Sequence, residues 1–380
     1  MRTLHFTSLD QLQEHAAAWD DLWWRSDVAL PTARAELTMQ WIEHFAPGAR
    51  LHLLVAEHGG EWLAALPLVE ERLRGVLPAA SLPGNAWSPC GELLVDPSME
   101  PERAVAALVE AARSLRRAWL WLPEVPLAAT RWQQWQAACG TLEAPLVTRE
   151  RFLVPRIEIG DDWQAFLAGL SRSHRQRMAK AMRRFEQEGP VTFEARSDLE
   201  VHEVEPWLQE GFEVEDRSWK GKAGSSVLGA PRMFQFFLRQ AEQLARFGQL
   251  EVAMLRLQER PVAFLYGYRA KGVYYAFKIG YDPQFAAHSP GQLLLYQLFE
   301  RLHRDPECHA VDCMGPLSET INRWRPASYV VGRVIVASRS WLGRGALAAY
   351  CRLRHDRSLA ETAEANTAPA ESAAVAETAS

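Results

Sequence analysis

Ser289, Pro290, Gly291 and Gln292 stand where an apolar strand and a short loop lead into a helix, within the stretch YYAFKIGYDPQFAAHSPGQLLL from Tyr274 to Leu295. A serine N-cap, a proline at the first helical position and a glutamine at the third make a capping box. The unpaired amides of such a helix start attract anions, and Gly291 lets a phosphate approach the backbone, so the segment is a candidate site for a phosphate-bearing donor. The same signature also begins helices that bind nothing. Asp312 is a second chemical signal. A carboxylate in the short apolar run Ala310 to Met314, beside Cys313, must be paired or functional, and either Lys278 or Arg323 is the cation expected to partner it. A third is the run SRSHRQRMAKAMRRFEQEG, residues 171 to 189, which gathers Arg172, Arg175, Arg177, Lys180, Arg183 and Arg184. Arginine grips anionic groups bidentately, although a solvated helix face gives the same charge run.

These residues need elements to position them, and the chain has room for two ordinary domains plus a tail in its 380 residues. Leu51 to Leu68 predicts a hairpin about His58-Gly59-Gly60, and Leu250 to Tyr268 repeats the pattern about Gln258 to Arg260, with Ala263 standing where the first copy has Ala64. Val95-Asp96-Pro97 is matched by Tyr281-Asp282-Pro283. Each precedes a helical segment, Arg103 to Arg117 and Gly291 to Arg304, and then a short apolar strand, Trp119 to Leu122 and Ala310 to Met314. One α/β unit is therefore expected twice. The basic run lies between the copies as an amphipathic helix, with Met178, Ala181, Met182 and Phe185 as its apolar stripe and Gly189-Pro190 as its stop.

A net charge of -5 argues against bulk nucleic-acid binding, so DNA is not an expected partner. The five cysteines form no CxxC pair, and neither a disulfide framework nor a metal site is expected. No apolar run reaches the roughly 18 residues that span a bilayer, and MRTLHFTSLDQLQEH lacks the apolar core of a signal peptide, so the expected location is cytoplasmic. WLGRGALAAYCRLRHDR predicts a basic amphipathic helix resting on the body or on a membrane surface. The residues from 358 to 380 hold no aromatic side chain and, apart from Leu359 and Val375, no bulky aliphatic one, and are expected to stay unfolded.

The order of hairpin, longer strand, phosphate-facing turn, capped helix and final strand resembles the GNAT acyltransferase fold, an α/β (α+β mixed sheet) architecture. More specifically, the second half, roughly residues 150 to 330, resembles the GNAT-type domain of proteins associated with cellulose and exopolysaccharide biosynthesis. It is carried by Glu215-Asp216-Arg217-Ser218-Trp219-Lys220-Gly221, Lys278-Ile279-Gly280-Tyr281-Asp282, Ser289-Pro290-Gly291, and Asp312 with Gly315 and Trp324. With residues 1–150 as a degenerate copy and 151–345 as the second, the whole is similar to the duplicated GNAT architecture of Fem-type aminoacyltransferases, followed by a helix at 346–357 and the tail at 358–380. The family's pyrophosphate loop runs Gln or Arg, two residues, Gly, one residue, Gly or Ala; here His288, Gly291 and Leu293 take those places.

The resemblance implies direct transfer from acetyl-CoA or another acyl-CoA to an amine or hydroxyl, on a small molecule or glycan precursor, with no metal. Aminoacyl-tRNA is the donor under the Fem-type alternative, and a non-catalytic accessory scaffold is a further one. A proton must leave the nucleophile, and Glu215, Asp216 and Asp312 are the candidate bases. The donor is expected against the backbone of Lys278, Ile279, Gly280 and Tyr281, with His288, Ser289, Gly291 and Gln292 at its phosphates and Tyr281 able to protonate the leaving thiolate. Trp219, Lys220, Arg175 and Trp324 are the expected substrate contacts. Two halves that mimic a GNAT dimer make a monomer the expected state.

Overall fold

The computed structural model describes residues 1–352. Its strands are β1 (Arg2–Phe6), β2 (Leu51–His58), β3 (Glu61–Leu73), β4 (Leu77–Ser81), β5 (Gly84–Asn85), β6 (Ser88–Pro89), β7 (Leu94–Val95), β8 (Trp119–Pro126), β9 (Leu146–Glu158), β10 (Val191–Arg196), β11 (Leu250–Leu257), β12 (Arg260–Ala270), β13 (Val273–Tyr281), β14 (Ala310–Asp312) and β15 (Ala327–Ala337). One mixed sheet runs β1-β2-β3-β4-β8-β15-β9-β14-β13-β12-β11-β10, with β7 paired to β3. The two copies sit end to end in it.

The repeat holds to single residues. In both hairpins one residue is extra, Leu63 in β3 and Val262 in β12, where the register slips. The carbonyl of each accepts a hydrogen bond of 2.8 Å, from the amide of Asp96 and of Asp282 respectively. Both aspartates are buried and paired with arginine: Asp96 with Arg25, and Asp282 with Arg260 at 2.6 Å and Arg217 at 3.1 Å. The parallel pairs also correspond, Ser81 opposite Trp121 and Tyr275 opposite Asp312. The last strand of each copy crosses over. β9, which ends the first copy, pairs with β14 of the second, while β15 pairs with β8 of the first; β9 and β15 pair with each other, closing the sheet at its centre. The unit expected over 151–345 thus places its final strand beside the first half.

Helices cover both faces of the second half. Arg172–Glu188 and Pro290–Leu302 pack Phe185, Leu294 and Leu298 on one side, and Val201–Arg217 and Met233–Arg246 pack Phe212 and Phe237 against Tyr266 on the other. Full burial of each such side chain stabilises the fold by about 1.5–3 kcal/mol. The basic helix starts at its Ser171 cap and stops at Gly189, burying His174, Met178, Ala181 and Phe185. At the chain's end, residues 341–352 are helical, and Tyr350 meets the edge of Trp119 at 5.6 Å, so this helix lies on the body. The rest of the helix expected over 346–357, and the tail at 358–380, lie outside the described residues.

The capping box expected at Ser289 does not form. Ser289 is left-handed, with φ 52° and ψ 50°, and its side chain caps nothing. Asp282 instead caps the preceding turn through the amide of Gln284, and the Gln292 side chain accepts from the Trp324 indole at 2.9 Å. The first copy starts its helix Pro101–Ser114 the same way, from Glu100 with φ 45°.

Candidate active site at the splay of the central strands

β13 touches β14 only from Val273 to Tyr275, where β14 ends at Asp312. Phe277 is an extra residue in the pairing of β13 with β12, a bulge that bends the strand away from its neighbour. Beyond it β13 runs to Tyr281 with no strand on that side among the described residues. Ile279 and Tyr281 turn toward the start of helix Pro290–Leu302. A Cβ on Gly291 would lie 3.4 Å from the Tyr281 ring and 4.0 Å from Ile279, which is ordinary contact. The glycine is not demanded by packing; it leaves open the space a side chain would fill. Gly280 is the opposite case, since a Cβ there would come within 2.6 Å of the Glu215 Cα.

The bulge sends Lys278 to the other face of the sheet. Its ammonium sits 4.8 Å from the Trp87 ring, 5.2 Å from Phe237 and 5.1 Å from Phe277. Burial holds its pKa down to about 8; Glu215 opposes that shift and Lys220 adds to it. Glu215 is buried, where sequence alone left open a solvated helix end. Its carboxylate accepts from Lys220 Nζ at 2.8 Å and from the Val227 amide at 3.1 Å, and Lys220 also donates to the Ile279 carbonyl at 2.9 Å. Asp216 is exposed and accepts from Ser226 at 2.5 Å, tying down the following loop. The Trp219 side chain stands out in solvent, 66% exposed.

Asp312 faces a cavity of about 520 Å³ at the junction of the halves, floored by Val273, Tyr275, Val154 and Tyr329. The expected partners Lys278 and Arg323 are not the ones it has. Tyr329 donates to its Oδ2 at 2.7 Å and the Met314 amide to its Oδ1 at 2.8 Å, because the strand exchange brings β15 within reach. Burial raises its pKa, against the lowering by the Tyr329 hydroxyl and the Met314 amide. Most other charges around the cavity are already engaged. Arg131 pairs with Asp27 and Glu92, and Lys271 donates to the carbonyls of Trp23, Ser26 and Val28. Asp312 is a buried carboxylate with no salt bridge, on which Arg156, itself paired with Glu158, acts only at longer range.

Of the remaining expected residues, His288 lies over Phe185, 3.7 Å from the Glu188 carboxylate, near the helix start. Arg175 is on the exposed flank of the basic helix, away from the splay. Trp324 is fully buried between His174 and Phe299 and presents no face to a substrate. Sequence reasoning missed Tyr329 and Trp87. Tyr329 carried no signal, since its role depends on the strand exchange. Trp87 had one, a large aromatic amid the turn residues Pro83, Gly84, Asn85 and Pro89.

The splay lies within a segment that is similar to a known domain. Residues 172–319 match the model of the acetyltransferase (GNAT) domain. Among solved structures, FemX aligns over 88% of this chain and 97% of its own, at 12% identity and a TM-score of 0.57. The C-terminal domain (DUF2156) of a protein named as a lysylphosphatidylglycerol synthetase, from Agrobacterium fabrum, aligns over 89% and 96% at 13% identity and 0.52. L-PGS from Bacillus licheniformis aligns over 87% and 93% at 14% identity and 0.50. No curated protein sequence matches the chain. The fold is thus a duplicated GNAT-like one, with the domain match confined to the second copy and its preceding basic helix. Among the described residues, no helix is long and apolar enough to cross a membrane and no three His, Cys, Asp or Glu side chains converge as metal ligands.

Proposed function

We propose that this protein transfers an acyl group, acetyl in the simplest case, directly from an acyl-CoA to an amine or hydroxyl held in the 520 Å³ cavity. The observation that carries the reading is the splay itself. The unpaired backbone of β13 leads from a glycine-opened helix start to a buried carboxylate that faces the cavity. The first turn of helix Pro290–Leu302 holds no acidic residue, so its positive end is free to receive phosphate. Amides between Lys278 and Tyr281 orient the donor carbonyl and stabilise charge on its oxygen. Asp312, its basicity increased by burial, takes the proton from the attacking amine or hydroxyl, and the departing thiolate is protonated by water or by Tyr281. Tyr329 orients Asp312. The mixed aromatic and polar lining, with Phe152, Tyr275, Arg156 and Glu92, suits a sugar-like or amino acceptor such as an envelope or exopolysaccharide precursor.

Calorimetric titration with acetyl-CoA and longer acyl-CoAs tests the donor. Micromolar binding that Gly291→Val weakens supports the reading, and its absence for every CoA sinks it. An aminoacyl-tRNA donor is the second reading, favoured by one observation: Arg172, Arg175, Arg177, Lys180, Arg183 and Arg184 are all exposed on the basic helix. Protection of the protein from heat by aminoacyl-tRNA but not by acetyl-CoA would select it.

A further inference from the structure

A second cavity, of about 320 Å³, lies where helices Trp163–Gly169 and Arg172–Glu188 meet helix Pro290–Leu302. That is at the small end of the range for ligand pockets. Leu293, Tyr296 and Gln297 line it from the third helix. At about 100° per residue these project roughly 140–240° around from Gly291, so the cavity opens on the flank turned away from the proposed donor path. Its wall is apolar, built by Leu170, Met178 and Met182 with Leu293. Its rim is cationic. Arg175 and Arg183 are two turns apart on one i, i+4 row with only Ala179 between them, which leaves a gap between two guanidiniums. Neither engages a carboxylate among the described residues.

His174 lines the same cavity. It is 2% exposed, and neither of its ring nitrogens has a hydrogen-bond partner. Leaving such a group unsatisfied is costly, and a ligand oxygen would relieve it. Burial, with Arg177 and Arg323 adding to the effect, holds the ring's pKa below the usual histidine value. A neutral imidazole offers one N–H to an acceptor.

We propose that this cavity binds a single acyl chain ending in a carboxylate, that is, a fatty acid, with its chain along Met178, Met182 and Leu293 and its carboxylate on Arg175, Arg183 and His174. The site is separate from the acyl-donor path and stands whether or not the donor reading does. Titrating the full chain with dodecanoate and with dodecanol, both below micelle formation, tests it. Dodecanoate is expected to bind, dodecanol and the Arg175→Gln/Arg183→Gln variant to bind about tenfold more weakly or worse, and Ala179→Trp to abolish binding by closing the rim. Ala179 is solvent-facing, so that variant keeps the fold, which an unchanged Tm verifies. Saturating acetyl-CoA should leave dodecanoate binding unaltered. The proposal is overturned by no binding, by equal binding of acid and alcohol, or by binding that survives Ala179→Trp. Competition by acetyl-CoA would place the chain in the donor path and also overturn it.

Discussion

The two copies of one unit differ most where their central strand passes the splay. In the second copy β13 is continuous, and Tyr275 and Asp282 are seven residues apart (282 − 275). In the first copy the equivalent Ser81 and Asp96 are fifteen apart (96 − 81), because the strand breaks into β4 and β7 around the excursion that carries β5 and β6. The tip of that excursion, Trp87, stacks on Lys278 of the second copy. The candidate chemical groups differ at matching points. Trp121 stands where the second copy has Asp312, with the Arg333 guanidinium 4.2 Å above its ring. Glu102 stands in the first turn of helix Pro101–Ser114, a position where the second copy has Gly291. A carboxylate there repels a phosphate. The second copy has the splay, and the first sets Trp87 against its Lys278.

The sharpest way to break this comparison is at the matched pair Asp312 and Trp121. Asp312→Asn keeps the acceptor for the Met314 amide, turns an NH2 donor toward the Tyr329 hydroxyl and removes the base, so turnover should fall by about 10²–10⁴-fold with donor affinity intact. Trp121→Phe should leave turnover unchanged. Steady-state kinetics on both variants decide it, and an active Asp312→Asn enzyme would remove Asp312 from the mechanism. Where the copies agree, their variants should agree too. Asp96→Ala and Asp282→Ala each remove a buried turn cap and its arginine contacts, and each should cost about 1–3 kcal/mol in denaturant unfolding. A large effect at only one of them would mean that the repeat no longer shares its means of stabilisation.

A smaller effect follows from exchanging the helix starts. Gly291→Glu brings the first copy's acidic residue to the second, and acyl-CoA affinity should drop about tenfold or more. Glu102→Gly should confer no second site, since β4 has already broken before it can reach that helix. Calorimetry that finds two equivalents of donor bound to Glu102→Gly would contradict the assignment of a single competent copy.

The repeat was legible because its markers are local. The turn at His58-Gly59-Gly60, the Asp-Pro steps after β7 and β13, and the stripe of Met178, Ala181 and Phe185 all fix structure within a few residues of themselves. What escaped the sequence depends on strand order. Nothing near Tyr329 tells that β15 crosses to the first copy and puts its hydroxyl on Asp312, and nothing near Trp324 tells that Gln292 takes its indole N–H and leaves Ser289 uncapped. Trp324 was read as a substrate wall from its type, yet its neighbours Phe299 and His174 cover it. The burial of Asp312 is legible for a physical reason, since a carboxylate in an apolar run needs a partner, while the identity of that partner, Tyr329, is not.

The finest distinction between the copies is in how they titrate. All five lysines lie beyond residue 179, so no lysine of the first copy can respond to pH. Burial holds Lys278 down to about 8, against 10.5 for an ordinary lysine. Between those values the unfolded chain keeps a proton that the folded chain has released. The contribution of Lys278 to stability should therefore rise with pH from about 8 to about 10.5, with the penalty of the buried ammonium fully present below 8, while the buried thiols of Cys90, Cys139, Cys308 and Cys313, pushed up by burial, give a slope of the opposite sign above about 9. Lys271 is also pushed down to about 8 by burial and adds a slope of the same sign. The Tm of Lys278→Met relative to the native chain should then fall between pH 8 and 10, and that of the Lys271→Met/Lys278→Met pair about twice as far. A slope untouched by Lys278→Met would mean that the amine is solvated, and that Trp87 does not wall the second copy's site.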